Sequence, residues 1–320
     1  MSSTEEEQEA TSNACASCGK EEVETAHKMC PCNLVKYCSV ECQHDHRPQH
    51  KNACKKRLAE LRDKVLFAQP EISHRGECPI CCLPQPLDAS KSRMMACCSK
   101  KICSGCQYAN RMREMEQRLQ PKCPFCRHAE IQSKAEAEQN NLKRVEANDP
   151  NAIAEMAKGC RDAGDCEGAV KYFKKAAELG NVNAHMELAI FYDTGVIYHK
   201  GVGIVEKSHK KFIHHLEEAA IGGHVIARCD LGGVEQRKGN EERMMKHFII
   251  AAKLGDPPAM DIVKQMSTLG IVSEEDYAST LCQHQAAVDA TKSAQREEAD
   301  AFFARAAQRR AAASAFSTTR

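Results

Sequence analysis

Eight side chains able to ligate a metal stand in four close pairs near the start of the 320-residue chain: Cys15-x2-Cys18, Cys30-x-Cys32, Cys38-x3-Cys42 and His50-x3-Cys54. A second series of eight follows: Cys78-x2-Cys81, the adjacent Cys97 and Cys98, Cys103-x2-Cys106 and Cys123-x2-Cys126. Thiolates and imidazole in such pairs suit tetrahedral zinc. A short pair on a tight turn can place two sulfurs about 3.7 Å apart on one ion at Zn–S distances near 2.3 Å, and wider pairs suit a helix turn. Sixteen of the twenty cysteines fall between Cys15 and Cys126, leaving only Cys160, Cys166, Cys229 and Cys282 beyond. Two zinc ions per series, four per chain, are expected.

The elements that must position these ligands have little apolar material of their own. Across residues 15–54 the candidates for burial are Val23, Met29, Leu34, Val35, Tyr37 and Val40. A unit of roughly 40 residues with so few cannot hold itself folded. Structural zinc contributes on the order of 10 to 16 kcal/mol per site in small domains, more than the deficit. This segment is therefore expected to be unfolded without metal.

The strings "YCSVECQ" (Tyr37–Gln43) and "HKNAC" (His50–Cys54) resemble the MYND zinc finger. The resemblance implies interleaved pairs, with Cys15, Cys18, Cys38 and Cys42 on one zinc and Cys30, Cys32, His50 and Cys54 on the other. Arg47 stands where the family usually carries a Trp, in a region against which its members dock proline-containing peptides. His44 and His46 are read as solvated surface, since His50 alone completes the fourth pair.

The second series, opened by "CPICCLPQPLD", continued by "CCSKKICSGC" and closed by "CPFCR", resembles the all-cysteine variety of RING finger. The resemblance implies one zinc on Cys78, Cys81, Cys103 and Cys106 and another on Cys97, Cys98, Cys123 and Cys126. Adjacent residues in extended chain face opposite ways, so Cys97 and Cys98 can share a metal only through a local bend. Cys82 is read as spare. Tyr108, Met112, Met115 and Leu119 recur at helical spacing and are expected to pack on the zinc core. RING fingers commonly recruit ubiquitin-conjugating enzymes through an apolar residue inside the first pair and an arginine after the last ligand; Ile80 and Arg127 match those positions. Such a ligase needs no covalent nucleophile, because it acts by holding a thioester in a reactive pose.

Internal periodicity marks the rest of the chain. The segments "AAELGNVNAH" from Ala176, "AAIGGHVIAR" from Ala219 and "AAKLGDPPAM" from Ala251 are copies of one pattern. Ala152, Ala184, Ala227 and Ala259 occupy equivalent positions 32, 43 and 32 residues apart, so the middle unit carries an eleven-residue insertion. Gly180, Gly223 and Gly255 fall where a left-handed residue should follow a helix, and Asn148 fills that place in the first copy. Helix pairs that bury their apolar sides only against their neighbours form a right-curving α-solenoid with a concave face. The insertion, "TGVIYHKGVGIVEK", followed by "SHKKFIHHLEEAAIGG", resembles the Sel-one-like branch of the tetratricopeptide superfamily, whose repeats bind protein segments. The four outlying cysteines are expected to be buried thiols.

The expected organisation is an acidic tail (1–14), a MYND-type finger (15–54), a linker (55–77), a RING-like finger (78–127), a helical linker (128–147), Sel-one-like repeats (148–290) and an alanine-rich last helix (291–320) that frays or caps the solenoid. The fold class is mostly α: two small cross-braced fingers preceding an α-solenoid. This order is similar to that of algal-type proteins carrying MYND, RING and Sel-like units together. The polar N-terminus, the mean hydropathy of −0.53 and the lack of an apolar run long enough to span a bilayer point to an intracellular chain, cytoplasmic or nuclear and not secreted. Cysteine in such reducing compartments serves metal rather than disulfides. The leading reading is a scaffold whose repeats and fingers bind proteins; the alternative is a ubiquitin ligase with the repeats selecting substrate. A nucleic-acid-binding zinc protein is the third, disfavoured by a net charge of +1 and by basic runs without interleaved aromatics.

Overall fold

The computed structural model describes residues 13–21, 27–195 and 206–317. Val23, the acidic tail up to residue 12 and most of the eleven-residue insertion lie outside the described residues. The chain divides into two compact units, residues 1–68 and 69–320.

In the first unit, β1 (Lys28–Met29) and β2 (Lys36–Tyr37) form a short antiparallel hairpin, and α1 (Val40–Leu66) follows. Ser39 caps α1 by accepting from the Cys42 N–H, which fixes where the helix begins. The helix runs unbroken through the basic stretch that reads as linker in the sequence. Apolar side chains do not form this unit's centre. Its buried residues cluster as Cys15, Cys30, Cys32 and Tyr37, with Leu34 and Val35 packed at the edge. Met29 and Val40, both expected inside, are exposed.

The second unit opens with a finger built from the antiparallel hairpin β3 (Ser92–Met94) and β4 (Lys101–Cys103) and helix α2 (Ser104–Glu116). Helix α3 (Lys134–Glu146) leads into the repeats. Their helix pairs are α4 (Pro150–Asp162) with α5 (Cys166–Glu178), α6 (Val182–Thr194) with α7 (His209–Ile221), α8 (Val225–Arg237) with α9 (Glu241–Lys253), and α10 (Pro257–Thr268) with α11 (Glu274–Ala290). Helix α12 (Ala294–Ser317) ends the chain. The unit is mostly α, and within the repeats each helix packs on the next in sequence.

One local device recurs between pairs. Asn148, Gly180, Gly223 and Gly255 all have left-handed backbone. The next residue, Asp149, Asn181, His224 or Asp256, then caps the following helix through the N–H of Ala152, Ala184, Ala227 or Ala259. Those four alanines are wholly buried, so the position that takes the cap also lies inside the packed helices. The apolar core between α4 and α6 centres on Ile153, Phe173, Leu188 and Phe191.

Two expectations change here. Helix α12 does not cap the solenoid; it packs against α2 of the finger, with Tyr108 and Phe302 ring centroids 5.1 Å apart and Lys91 paired to Asp300 at 2.8 Å. The α2 stripe is correspondingly not a zinc-core face, since Met115 and Leu119 are exposed and Tyr108 turns to α12. Among the outlying cysteines only Cys166 is fully buried, and Cys282 is exposed.

Candidate metal centres and their supports

The folded chain gathers its sixteen candidate ligands into four groups: Cys15, Cys18, Cys38 and Cys42; Cys30, Cys32, His50 and Cys54; Cys78, Cys81, Cys103 and Cys106; and Cys97, Cys98, Cys123 and Cys126. Within each group all four donor atoms lie within 4.8 Å of one another. In both fingers the sequence order of pairs is interleaved between the two groups.

The sulfur spacing matches a metal tetrahedron. Ions held at Zn–S distances near 2.3 Å require S···S edges of about 3.8 Å. The observed edges are 3.4 Å for Cys97–Cys126, 3.5 Å for Cys18–Cys38, 3.6 Å for Cys38–Cys42, 3.7 Å for Cys30–Cys54, 3.8 Å for Cys81–Cys103 and 3.9 Å for Cys98–Cys123. Such lengths are nearly twice a disulfide bond of about 2.05 Å. His50 completes its group with Nε2 at 3.1 Å from the Cys32 sulfur and 3.5 Å from that of Cys30.

Local backbone explains how each knuckle forms. The residue after each short cysteine pair is left-handed at five places: Gly19, Asn33, Cys82, Ser99 and Arg127. This turn folds the chain back, and in the three pairs opened by Cys15, Cys78 and Cys123 it points backbone N–H groups at the first sulfur. Cys15 is held near 5, because the N–H groups of Cys18, Cys38 and Ser17 outweigh its burial. Cys78 is held near 4, through the Cys103 thiol and the N–H groups of Cys103, Cys81 and Ile80. Cys82 therefore has a geometric role: it is the left-handed residue of its knuckle and belongs to none of the four groups. Cys97 and Cys98 share a group because the turn from Met95 bends there, with the N–H of Cys98 and of Ser99 both donating to the Met95 carbonyl.

Electrostatics shows why such groups suit a cation. Without a cation, sulfurs this close cannot all ionise. Hydrogen bonding to Cys18 and Cys42 pushes Cys38 up to about 12, and burial does the same to Cys106. Burial also takes Cys54 and Cys98 to about 11, with neighbouring sulfurs adding to it. A divalent ion removes this conflict by deprotonating coordinating thiols outright. Four sulfurs, or three sulfurs and an imidazole, form the donor sets of zinc, and the residues present fit that ion.

Helix α1 presents Cys42, His46, His50 and Cys54 at four-residue intervals, so one face serves both groups of the first finger. His46 lies between them rather than in solvent alone. Its ring stacks on His50 at 5.7 Å, and its Nδ1 shares a hydrogen bond with the Tyr37 hydroxyl at 3.1 Å. His50 itself is held below the usual imidazole range by burial first and His46 second, which keeps it in the neutral, metal-ligating form.

The second finger carries a support from far along the sequence. Arg296 of α12 is 5% exposed and reaches the first knuckle: Nη1 donates to the Pro84 carbonyl at 2.7 Å, and Nη2 to that of Leu83 at 3.2 Å and to the Cys81 sulfur at 3.4 Å. A further bond from Nη1 to the Thr291 carbonyl ties it to its own turn. Gly105, between ligands Cys103 and Cys106, has no side chain because a Cβ there would lie 2.8 Å from the Arg296 stem. On the other side the finger joins the repeats through His74, whose ring stacks on His224 at 3.9 Å and whose N–H donates to the Gly223 carbonyl. Nothing in the spacing of the sequence marks Arg296 or His74.

Ile80 and Arg127 remain at the surface, Ile80 at 40% exposure. The Arg127 guanidinium donates to Asn110 on α2 at 3.1 Å.

Comparison with known proteins agrees with the first finger: residues 15–54 match the MYND finger family. No curated protein matches the chain. Among solved structures, the chain is similar to a Sel1 repeat protein from Oxalobacter formigenes, at 20% identity and a TM-score of 0.39, over 57% of this chain and 71% of that one. It is also similar to a protective antigen of uropathogenic Escherichia coli strains displaying an SLR fold, at 17% identity and a TM-score of 0.38, over 56% of this chain and 37% of that one. Among the described residues no helix is long and apolar enough to cross a membrane.

Proposed function

We propose that this protein is a zinc-braced scaffold for protein assembly, in which the repeats of residues 148–290 hold one protein and the fingers of residues 15–54 and 78–127 contact others. The sixteen clustered residues would hold four zinc ions, two per finger. The observation that carries this reading is the closed donor set: four protein ligands in every group leave no position for a water or substrate, the arrangement of structural zinc. Helix-pair repeats suit the other half of the role, since each unit leaves one side free for a partner.

The test uses the full chain. Elemental analysis should return four zinc ions per chain, and cross-linking with affinity capture should return partners whose retention saturates. Cys54→Ser should shed the partners of the first finger and keep those of the repeats. Two zinc ions or fewer, or no saturable protein partner, would overturn the proposal.

The ligase reading has one specific support: Ile80 and Arg127 both stay exposed, next in sequence to the candidate ligands Cys81 and Cys126. Self-ubiquitination by the zinc-loaded chain across a panel of conjugating enzymes, abolished by Ile80→Asp and Arg127→Ala, would establish it in place of a passive scaffold.

A further inference from the structure

A polar cavity of about 160 Å³ lies between the second finger and the repeats, and no zinc ligand lines it. From the finger side come Arg75, Ser92 and Lys101; from α4 and α6 come Glu155, Lys158 and Asn183. Three cations face one carboxylate, so the lining holds an excess of two positive charges.

The partners of those cations show where the excess sits. Lys158 is neutralised by Glu155 at 2.8 Å. Arg75 donates from Nε to the Pro86 carbonyl at 3.2 Å and from Nη2 to the Ser92 hydroxyl at 2.6 Å, both uncharged oxygens that fix the guanidinium without compensating it. Asp88 attracts Arg75 from outside the cavity, but its carboxylate is held by the Ser90 N–H at 2.9 Å and the Ser90 hydroxyl at 2.7 Å. The half-buried Lys101 ammonium on β4 makes no side-chain hydrogen bond or close ion pair among the described residues; burial first, then Arg75 and Lys158, hold it down to about 8, with Glu155 attracting it only at longer range, and Nη1 of Arg75 likewise makes no bond. A secluded cation facing other cations is unfavourable unless an anion joins it. The neighbouring His74 and His224 register the same field: burial, with Arg75 and Lys101 among the charges that add to it, drives them to about 3 and about 4.

We propose that this cavity binds a phosphoryl dianion, with Lys101 and the free Nη1 of Arg75 as its charged donors and Lys158 at its rim. A phosphate monoester carries close to two negative charges at neutral pH and three acceptor oxygens, which matches the excess; one carboxylate would leave a cation uncompensated. The source is either inorganic phosphate or the phosphate of a modified residue. Because donors come from both the finger and the repeats, occupancy would brace the two against each other. This inference stands on the cavity alone and does not depend on the scaffold reading.

The experiment is calorimetric titration of the zinc-loaded full chain with inorganic phosphate at fixed ionic strength, paired with thermal unfolding. Wild type should bind phosphate and melt higher in it than in chloride. Lys101→Met should weaken binding by roughly tenfold or more, as for loss of one charge-assisted bond. In chloride that variant should melt no lower than wild type, since it removes a repelled cation, and this separates lost binding from misfolding. Amine acylation of Lys101, read by peptide mass, should be suppressed by phosphate. A phosphoserine peptide binding at least about tenfold more tightly than phosphate would name a modified protein segment as occupant, and equal binding would name the free ion. Equal response of wild type and Lys101→Met to phosphate, or no binding at millimolar phosphate with Lys101 still acylated at full rate, would overturn the proposal.

Discussion

The two fingers and the repeats solve the problem of holding a chain together with different materials. In the first finger the buried cluster is three cysteines and a tyrosine; in the repeats it is mostly alanine with isoleucine, leucine, valine and aromatic rings, and a single cysteine, Cys166. One interior is built of candidate metal ligands, the other of apolar side chains packed around the buried Ala152, Ala184, Ala227 and Ala259. The difference teaches that cooperativity is local here. Removing metal should cost one part its fold while leaving the other its own driving force, with Arg296 and His74 as the joints through which the loss could spread.

The largest effect follows from that contrast. Exhaustive chelation should unfold residues 15–54 and 78–127, given structural zinc worth on the order of 10 to 16 kcal/mol per site, while α4 to α10 stay helical. Hydrogen exchange mapped along the chain would show both halves of the outcome; protection persisting in the fingers would break the comparison. The converse is a core substitution in the repeats. Phe173, wholly buried and 6.0 Å from Phe191 between ring centroids, should cost about 3 to 5 kcal/mol as Phe173→Ala in urea unfolding, with zinc content unchanged.

The joints come next. Arg296→Met should lower stability by about 1 to 3 kcal/mol, because it leaves the Pro84 carbonyl without its buried donor and the Leu83 carbonyl with the Cys78 N–H alone. Its signature would be faster zinc release from the second finger and not from the first. His224→Asn keeps a helix cap of the kind Asn181 provides but removes a titrating ring. His224 folds with a value near 4 against an ordinary 6.5, so its contribution is complete above about pH 6.5 and is lost as pH falls towards 4. Wild type should therefore lose about 1.4 kcal/mol per pH unit more than the variant across that window. Zinc loss on acidification is common to both chains and cancels in the difference. The smallest effect concerns Cys82, which is left-handed with φ of 55°. Cys82→Gly should leave zinc content intact and raise stability by about 1 kcal/mol; loss of one zinc would make Cys82 a ligand after all.

Much of the site is written in spacing. The pairs Cys15-x2-Cys18, Cys38-x3-Cys42, Cys78-x2-Cys81 and Cys123-x2-Cys126 are local turns, so their geometry is readable from neighbours alone. The repeat was legible for the same reason: Gly180, the Asn181 cap and Ala184 lie within five residues. The bend that lets Cys97 and Cys98 share a group, and the left-handed role of Cys82, were harder, because no glycine or asparagine marks either turn. His46 looked like surface since no ligand count needed it, yet the four-residue rise of α1 sets it between two ligand groups and against Tyr37.

The sequence by itself determined which residues could grip metal, how many turns would present them, and where helices of the repeat begin and end, because each is governed by interactions a few residues long. Only the tertiary structure decided that Arg296 clasps a knuckle more than two hundred positions earlier, that α12 lies on the finger instead of the last repeat, and that Lys101 faces a cavity with an excess of cations and makes no close ion pair there. Those outcomes depend on which surfaces meet after the local elements have formed, and chain-distant contacts leave no periodic mark on the residues that make them.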